Sequence, residues 1–159
     1  MNACKAGIRT ILILCCGAGA ALPPGAVADS ETLAANARRI EQRITALSAF
    51  GANPGGGVSR VAFSAADIAG REYIKELMRN VGLVVRVDTA GNIIGRREGS
   101  DPNLPAIMLG SHIDSVPGGG NYDGDLGVIG AIEVAQLLHE HGVATRHRVG
   151  ADGSDKMAT

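Results

Sequence analysis

Hydrophobic positions along the chain change period several times, and each change marks an element. Over residues 30–50 apolar side chains step by four and three, at Leu33, Ala37, Ile40, Ile44 and Leu47. Arg38, Arg39, Glu41 and Arg43 take the remaining faces, so this stretch reads as one amphipathic helix. Residues 50–57 interrupt it with Pro54 and three consecutive glycines. Ser64, followed three residues later by Asp67, predicts a capping box. Ile74, Leu77, Met78 and Val81 then form the buried stripe of a second helix, with Gly82 as its C′ residue. Residues 83–88 and 93–97 are β-type runs joined at Thr89-Ala90-Gly91-Asn92, a strand pair. After a polar loop over 100–105, the short apolar run 106–109 reads as a buried strand. The next periodic segment, 126–141, is a helix apolar on most sides: Val128, Ile129, Ile132, Val134, Ala135, Leu137 and Leu138. Such a helix wants cover on both faces, and Gly127, Gly130 and Ala131 permit close packing on a sheet. Residues 144–159 are polar and Gly-rich, with an isolated Val and one Met, which is the composition of disorder. Helix-type and short β-type patterns alternating in this way predict an α/β fold: an incomplete sheet with flanking helices.

The N-terminus has a different purpose. Lys5 and Arg9 precede an apolar core of Ile11 to Leu14 with Cys15 and Cys16, and Ala26-Val27-Ala28 is an Ala-x-Ala cleavage site. Residues 1–28 therefore read as a secretory signal peptide. The segment is too short, and too interrupted by Gly17, Gly19, Pro23 and Pro24, to make a convincing membrane span, and an uncleaved anchor is the competing reading. The remaining chain is expected outside the cytoplasm, secreted or periplasmic, with no membrane span. All three cysteines lie within 1–28, which leaves 29–159 without disulfides or thiolate metal ligands. Its net charge is about −3 with histidines neutral, and no Lys/Arg cluster accompanies aromatics. Nucleic acid is not an expected partner.

Candidate chemistry concentrates where the predicted strand at 106–109 hands over to the helix at 126. His112 and Asp114 are two residues apart, and on an extended segment such side chains share a side. A carboxylate beside a histidine accepts the N–H of one ring nitrogen and leaves the other free for a metal. Asp123, eleven residues after His112 on a Gly-rich loop, can offer a carboxylate oxygen to the same ion. The competing reading is a capped strand end, with Asp123 or Asp125 simply starting the helix. Ser111 adjoins His112 and faces the other way, which excludes a Ser–His–Asp triad. The glycines at 55–57 are not followed by Lys-Ser/Thr, so they form no P-loop. His139 and His141 stand at i and i+2 of a helix and share no face. With His147 they read as solvated residues, Glu133 and Glu140 as ordinary helix-surface positions. The stretch 152–155 is too short for a calcium loop.

Three stretches in this order carry a resemblance: F-G-A-N-P-G-G-G-V-S-R-V-A-F-S-A-A-D at 50–67, D-T-A-G-N-I-I-G-R-R-E-G at 88–99, and G-S-H-I-D-S-V-P-G-G-G-N-Y-D-G-D-L-G-V at 110–128. Over roughly 31–143 the chain resembles the dinuclear-metal amidohydrolases that include N-carbamoyl-L-amino-acid hydrolases, allantoate amidohydrolases and β-ureidopropionases. The resemblance implies the N-terminal part of a hydantoinase/carbamoylase-type catalytic domain with a zinc-aminopeptidase-like fold. It further implies two Zn or Mn ions, with His112 and Asp123 as ligands, the aspartate bridging, and Asp114 orienting His112. The implied substrate is a small N-carbamoyl or ureido compound whose linear C–N bond is cleaved by a metal-activated water. In that family an apolar strand and a Glu-Glu pair follow the helix, one glutamate serving as general base and the other as ligand. Further histidine ligands and a dimerisation domain come later still. Here residues 144–159 match none of this and read as replacement sequence after a frameshift, or as a misplaced reading frame. The expected domain limits are thus 1–28, 29–143 and 144–159, and the truncated chain is expected to be inactive. The alternative is a non-catalytic periplasmic module that binds a metal or a partner.

Export implies processing. Mass spectrometry of the secreted product is expected to show an N-terminus at Asp29, and a mature form that retains Met1 would contradict the signal-peptide reading.

Overall fold

The computed structural model describes residues 33–153, and the signal segment, the cysteines and residues 154–159 lie outside them. The element order is α1 (Ala37–Ser48), α2 (Ala65–Asn80), β1 (Val84–Val87), β2 (Ile93–Arg97), β3 (Ile107–Ser111), α3 (Asp125–Glu140) and β4 (Val149–Gly153). The strands form one sheet in the order β1-β2-β4-β3. β1 and β2 pair antiparallel, as do β2 and β4, while β3 and β4 run parallel. A parallel pair needs a crossover, and α3 supplies it. The result is the expected α/β architecture with a partial sheet.

Local chemistry explains the boundaries. α1 begins later than its apolar stripe suggests, because the Asn36 side chain accepts the Arg39 N–H and caps the helix there. At α2 the Ser64 hydroxyl accepts the Asp67 N–H at 3.2 Å. The Asp67 carboxylate reaches back to the Phe63 N–H at 2.9 Å, one residue before the cap. Its C-terminus closes with Gly82 at φ 79°, the Leu83 N–H on the Met78 carbonyl and the Gly82 N–H on that of Arg79. This is a Schellman ending, as the glycine predicts.

One core joins the three helices to one face of the sheet. Ile44, Leu47, Ile74, Met78, Ile93, Ile113, Val128, Ile129, Ile132 and Ala151 are all buried in it. The other face, bearing Val84, Arg86, Ile94 and Met108, points away from that core. Consequently the expectation of a buried strand at 106–109 is corrected: Ile107 and Met108 of β3 are 49% and 50% exposed. β3 is an edge strand, and an apolar run alone does not say whether an edge or an interior position follows.

The expectation of a structureless tail is also corrected. Val149–Gly153 is an interior strand, hydrogen-bonded to β2 on one side and β3 on the other. Val-Gly-Ala-Asp-Gly has no β-type pattern; two neighbouring ladders, not propensity, hold it in place. The approach to it is fixed as well: Ser100 N–H bonds Thr145 O at 2.9 Å and Ile107 N–H bonds Arg148 O at 2.9 Å.

Glu133 is a third correction. Read from the sequence as a surface residue, it is 1% exposed and faces α1. It accepts from Arg39 Nε and Nη2, each at 2.7 Å, and from the Asn36 N–H at 3.0 Å, with Arg43 Nη1 at 3.4 Å. Because α3 is apolar on most sides, periodicity cannot tell which of its polar residues turns inward. Glu140 stays exposed and pairs with Arg39 Nη1 at 2.8 Å.

Burial pushes the Glu133 carboxyl up, but the Arg39 guanidinium, the Asn36 N–H and Arg43 outweigh it and hold it below the ordinary range. A depressed folded value means stability that is present above the unfolded value of about 4.5 and is lost as pH falls through the folded one. Chemical denaturation from pH 7 to 3 should show that loss, and Glu133→Gln should flatten it while lowering stability at pH 7 by about 1–3 kcal/mol.

Candidate metal centre

β3 delivers the chain to His112, and Ile113, fully buried, anchors the next step. His112 and Asp114 then fall on the same side, as their spacing predicts. His112 Nδ1 lies 3.1 Å from the Asp114 carbonyl oxygen and 3.1 Å from Asp114 Oδ1. The carbonyl oxygen can only accept, so this hydrogen bond requires the proton on Nδ1, whereas Asp114 Oδ1, equally near, makes no hydrogen bond. Asp114 is buried, which withdraws its own carboxylate from solvent.

The loop after Asp114 is docked, not loose. Val58 and Gly119 exchange N–H···O bonds, both at 2.9 Å. Ser115 bonds the Arg60 carbonyl through its N–H at 2.8 Å, and its hydroxyl accepts the Arg60 N–H at 2.9 Å. Gly118 N–H reaches the Ser59 hydroxyl at 3.0 Å. The loop then returns to His112 at Gly124, where φ is 74°. A Cβ on Gly124 would stand 2.5 Å from His112 Cε1 and Nδ1 and collide with the His112 carbonyl, so only glycine fits against that ring. Asp123 is the residue before Gly124 in the chain. It is exposed, and its carboxylate takes no hydrogen bond within the described residues.

Asp125 has another task. Arg60 Nη2 donates to its two oxygens at 2.8 and 2.6 Å. Burial pushes the Asp125 carboxyl up to about 6, against the pull of Arg60. Arg60, 1% exposed, spends its other donors on Ile113 O at 2.6 Å, Leu47 O at 2.9 Å and Phe50 O at 3.0 Å. Sequence reading passed over Arg60 because an arginine between Val58 and Val61 shows no periodicity that marks it as buried.

The remaining histidines do not join this site. His141 Nδ1 bonds Leu137 O at 2.9 Å and His139 packs on Gly82, both at the far end of α3. His147 Nδ1 lies 2.8 Å from Pro105 O, before β3 begins. Among the described residues no group of three His, Cys, Asp or Glu side chains comes together. An imidazole nitrogen and a carboxylate oxygen fit part of a Zn or Mn ligand set; they do not complete one.

Residues 92–150 match the family model described as Peptidase family M28. That match runs past residue 143, where the family-like part was expected to stop. An N-carbamoyl-L-amino-acid amidohydrolase of Paenarthrobacter aurescens is 50% identical over 113 residues, 71% of this chain and 27% of that protein. A ureidoglycolate hydrolase of Arabidopsis thaliana is 42% identical over 118 residues, 74% of this chain and 25% of that protein. Among solved structures, a hydantoinase/carbamoylase family amidase from Burkholderia ambifaria superposes with a TM-score of 0.75 at 32% identity, covering 77% of this chain and 30% of that one. The chain belongs with the hydantoinase/carbamoylase amidohydrolases. It spans about a quarter of the length of the curated relatives it matches.

The fit of Gly124 against His112 can be probed directly. Gly124→Ala should displace the imidazole and cost about 1–3 kcal/mol through strain at positive φ and overpacking. Thermal denaturation checks the stability, and the His112 resonances in an NMR spectrum check the displacement.

Proposed function

We propose that this chain supplies part of the catalytic domain of an exported, metal-dependent amidohydrolase acting on the C–N bond of a small carbamoyl or ureido compound. In this reading His112 Nε2 and the Asp123 carboxylate hold a divalent ion, Zn or Mn, and Asp114 fixes the His112 tautomer and ring orientation. The single observation that carries it is His112, its Nδ1 engaged by Asp114 and its ring pressed by Gly124, with Asp123 next in the chain. The bound ion would supply an activated water and polarise the substrate carbonyl. The substrate class follows what the relatives are named for: an N-carbamoyl amino acid in one and ureidoglycolate in another.

The parallel pairing of β3 and β4 adds support. Ser111 is opposite Gly153, so the C-terminal ends of both strands emerge together, where ligands collect in open α/β sheets. The family resembled places its Glu-Glu pair just after the strand that follows this helix. In this sequence Ser154, Asp155 and Lys156 occupy that place. With fewer than three ligands among the described residues and no glutamate there, the chain acting alone is expected not to turn over substrate.

A second reading, a non-catalytic extracytoplasmic module that binds a metal or a partner, is favoured by one observation. Val84, Ile107 and Met108 leave apolar surface open on the sheet, and such surface marks contact sites.

Calorimetry on the purified chain should find weak Zn²⁺ or Mn²⁺ binding that His112→Ala removes. Hydrolysis assays with N-carbamoyl-L-amino acids, ureidopropionate, allantoate and ureidoglycolate should show no turnover with either ion. Metal-dependent turnover lost on His112→Ala would overturn the inactivity and keep the site. Tight metal binding that survives the substitution would place the ligands elsewhere.

A further inference from the structure

The Arg60 side chain makes five hydrogen bonds and is closed to solvent, yet neither the fold's core nor the ligand set explains why a charge is needed there. Its partners are the explanation. Nε donates to the carbonyl of Ile113, the residue between His112 and Asp114, at 2.6 Å. Nη2 holds both oxygens of Asp125, two residues after Asp123. Nη1 takes the carbonyls of Leu47 and Phe50 where α1 ends. The Arg60 backbone also grips Ser115 through its N–H and its carbonyl, on the loop between the two segments.

Resting on the reading of His112 and Asp123 as ligands, we propose that Arg60 is the positioning residue of the half-site: by bridging the Ile113 carbonyl and the Asp125 carboxylate, it sets the separation of His112 and Asp123 before any ion arrives. The geometry of guanidinium is what makes this work. A planar fork with fixed donor directions holds two acceptors at a defined separation, which a flexible ammonium does not. Each acceptor lies one or two residues from a ligand, so a shift of either is passed along a short stretch of backbone. Gly124 transmits the second contact, because its chain lies against the His112 ring with no side chain between. Replacing such a pair as a unit by apolar residues commonly leaves stability near neutral, which separates positioning from folding.

The test uses the full chain and two variants: Arg60→Lys, which keeps the charge and loses the fork, and Arg60→Met with Asp125→Leu, which removes the pair together. Circular dichroism and thermal melts report the fold. Zn²⁺ calorimetry and the Co²⁺ absorption spectrum report the site, and His112→Ala is the control. If Arg60 positions the ligands, folded variants lose roughly 10- to 100-fold in Zn²⁺ affinity and their Co²⁺ spectrum departs from that of the parent chain. Variants that fold and bind as the parent does, while His112→Ala abolishes binding, would overturn the positioning role and leave the ligands standing. Loss of the fold in both variants would assign Arg60 to stability alone and overturn it as well. If His112→Ala leaves parent binding unchanged, the ligand reading itself falls, and the positioning role with it.

Discussion

A single desolvated ion pair joins parts of this chain that sequence order keeps apart. Arg60 precedes α2, Asp125 opens α3, and the carbonyls that share the guanidinium belong to the end of α1 and to the segment after β3. Taking a guanidinium and a carboxylate out of water costs several kcal/mol per ion, and the attraction between them offsets this only when the remaining donors are satisfied. Here all the donors are used. That completeness makes the pair tolerable inside the protein, and it makes the loop from Ser115 to Gly124 a fixed connection instead of a mobile one.

The second buried charge is organised differently. Glu133 is enclosed, but its arginines reach it from the α1 surface, where Arg39 and Arg43 remain partly open to solvent. One carboxylate meeting two guanidiniums and a backbone N–H stays ionised, so the contact fastens α1 to α3 at neutral pH and weakens in acid. Arg60 and Asp125 tie the start of α3 to the segment after β3, whereas Glu133 ties the middle of α3 to α1. Both rest on α3, which Val128, Ile129, Ala131, Ile132 and Ala135 bury against α1 and the sheet.

How much of this was legible depended on whether the signal was local. Caps and turns were: Ser64 with Asp67, Gly82, and the turn before Ile93 all fall where short-range chemistry puts them. The gathering of His112 with Asp114 followed from strand alternation alone. Burial that depends on distant partners was not legible. Nothing in Val-Gly-Ala-Asp-Gly announces an interior strand; its place is created by β2 and β3, whose free edges it pairs. Glu133 and Arg60 were hidden for the same reason, since a buried charge is specified by its partner and the partners are 94 and 65 residues away. The exposure of Ile107 and Met108 was hidden too, because an apolar strand looks the same at an edge as within a sheet.

On the proposed reading of His112 and Asp123 as ligands, the sheet rim accounts for a shell that the described residues leave incomplete. β3 ends at the sheet's edge, and β4 ends beside it with Gly153 opposite Ser111. In a parallel pair each strand brings whatever follows it to the same rim, so a metal shell at that rim is assembled one strand at a time. β3 contributes an imidazole and, through the Gly-rich loop, a carboxylate. The strand that should bring the next donors is built of small residues whose role is to fit between neighbours. The open apolar face and the open ligand shell therefore share a cause: the described residues form one wall of a domain whose relatives, matched over about 30% of their length, have more chain with which to close it. On that reading, Arg60 and Gly124 order the half-site, and a complete shell would need donors beyond the described residues.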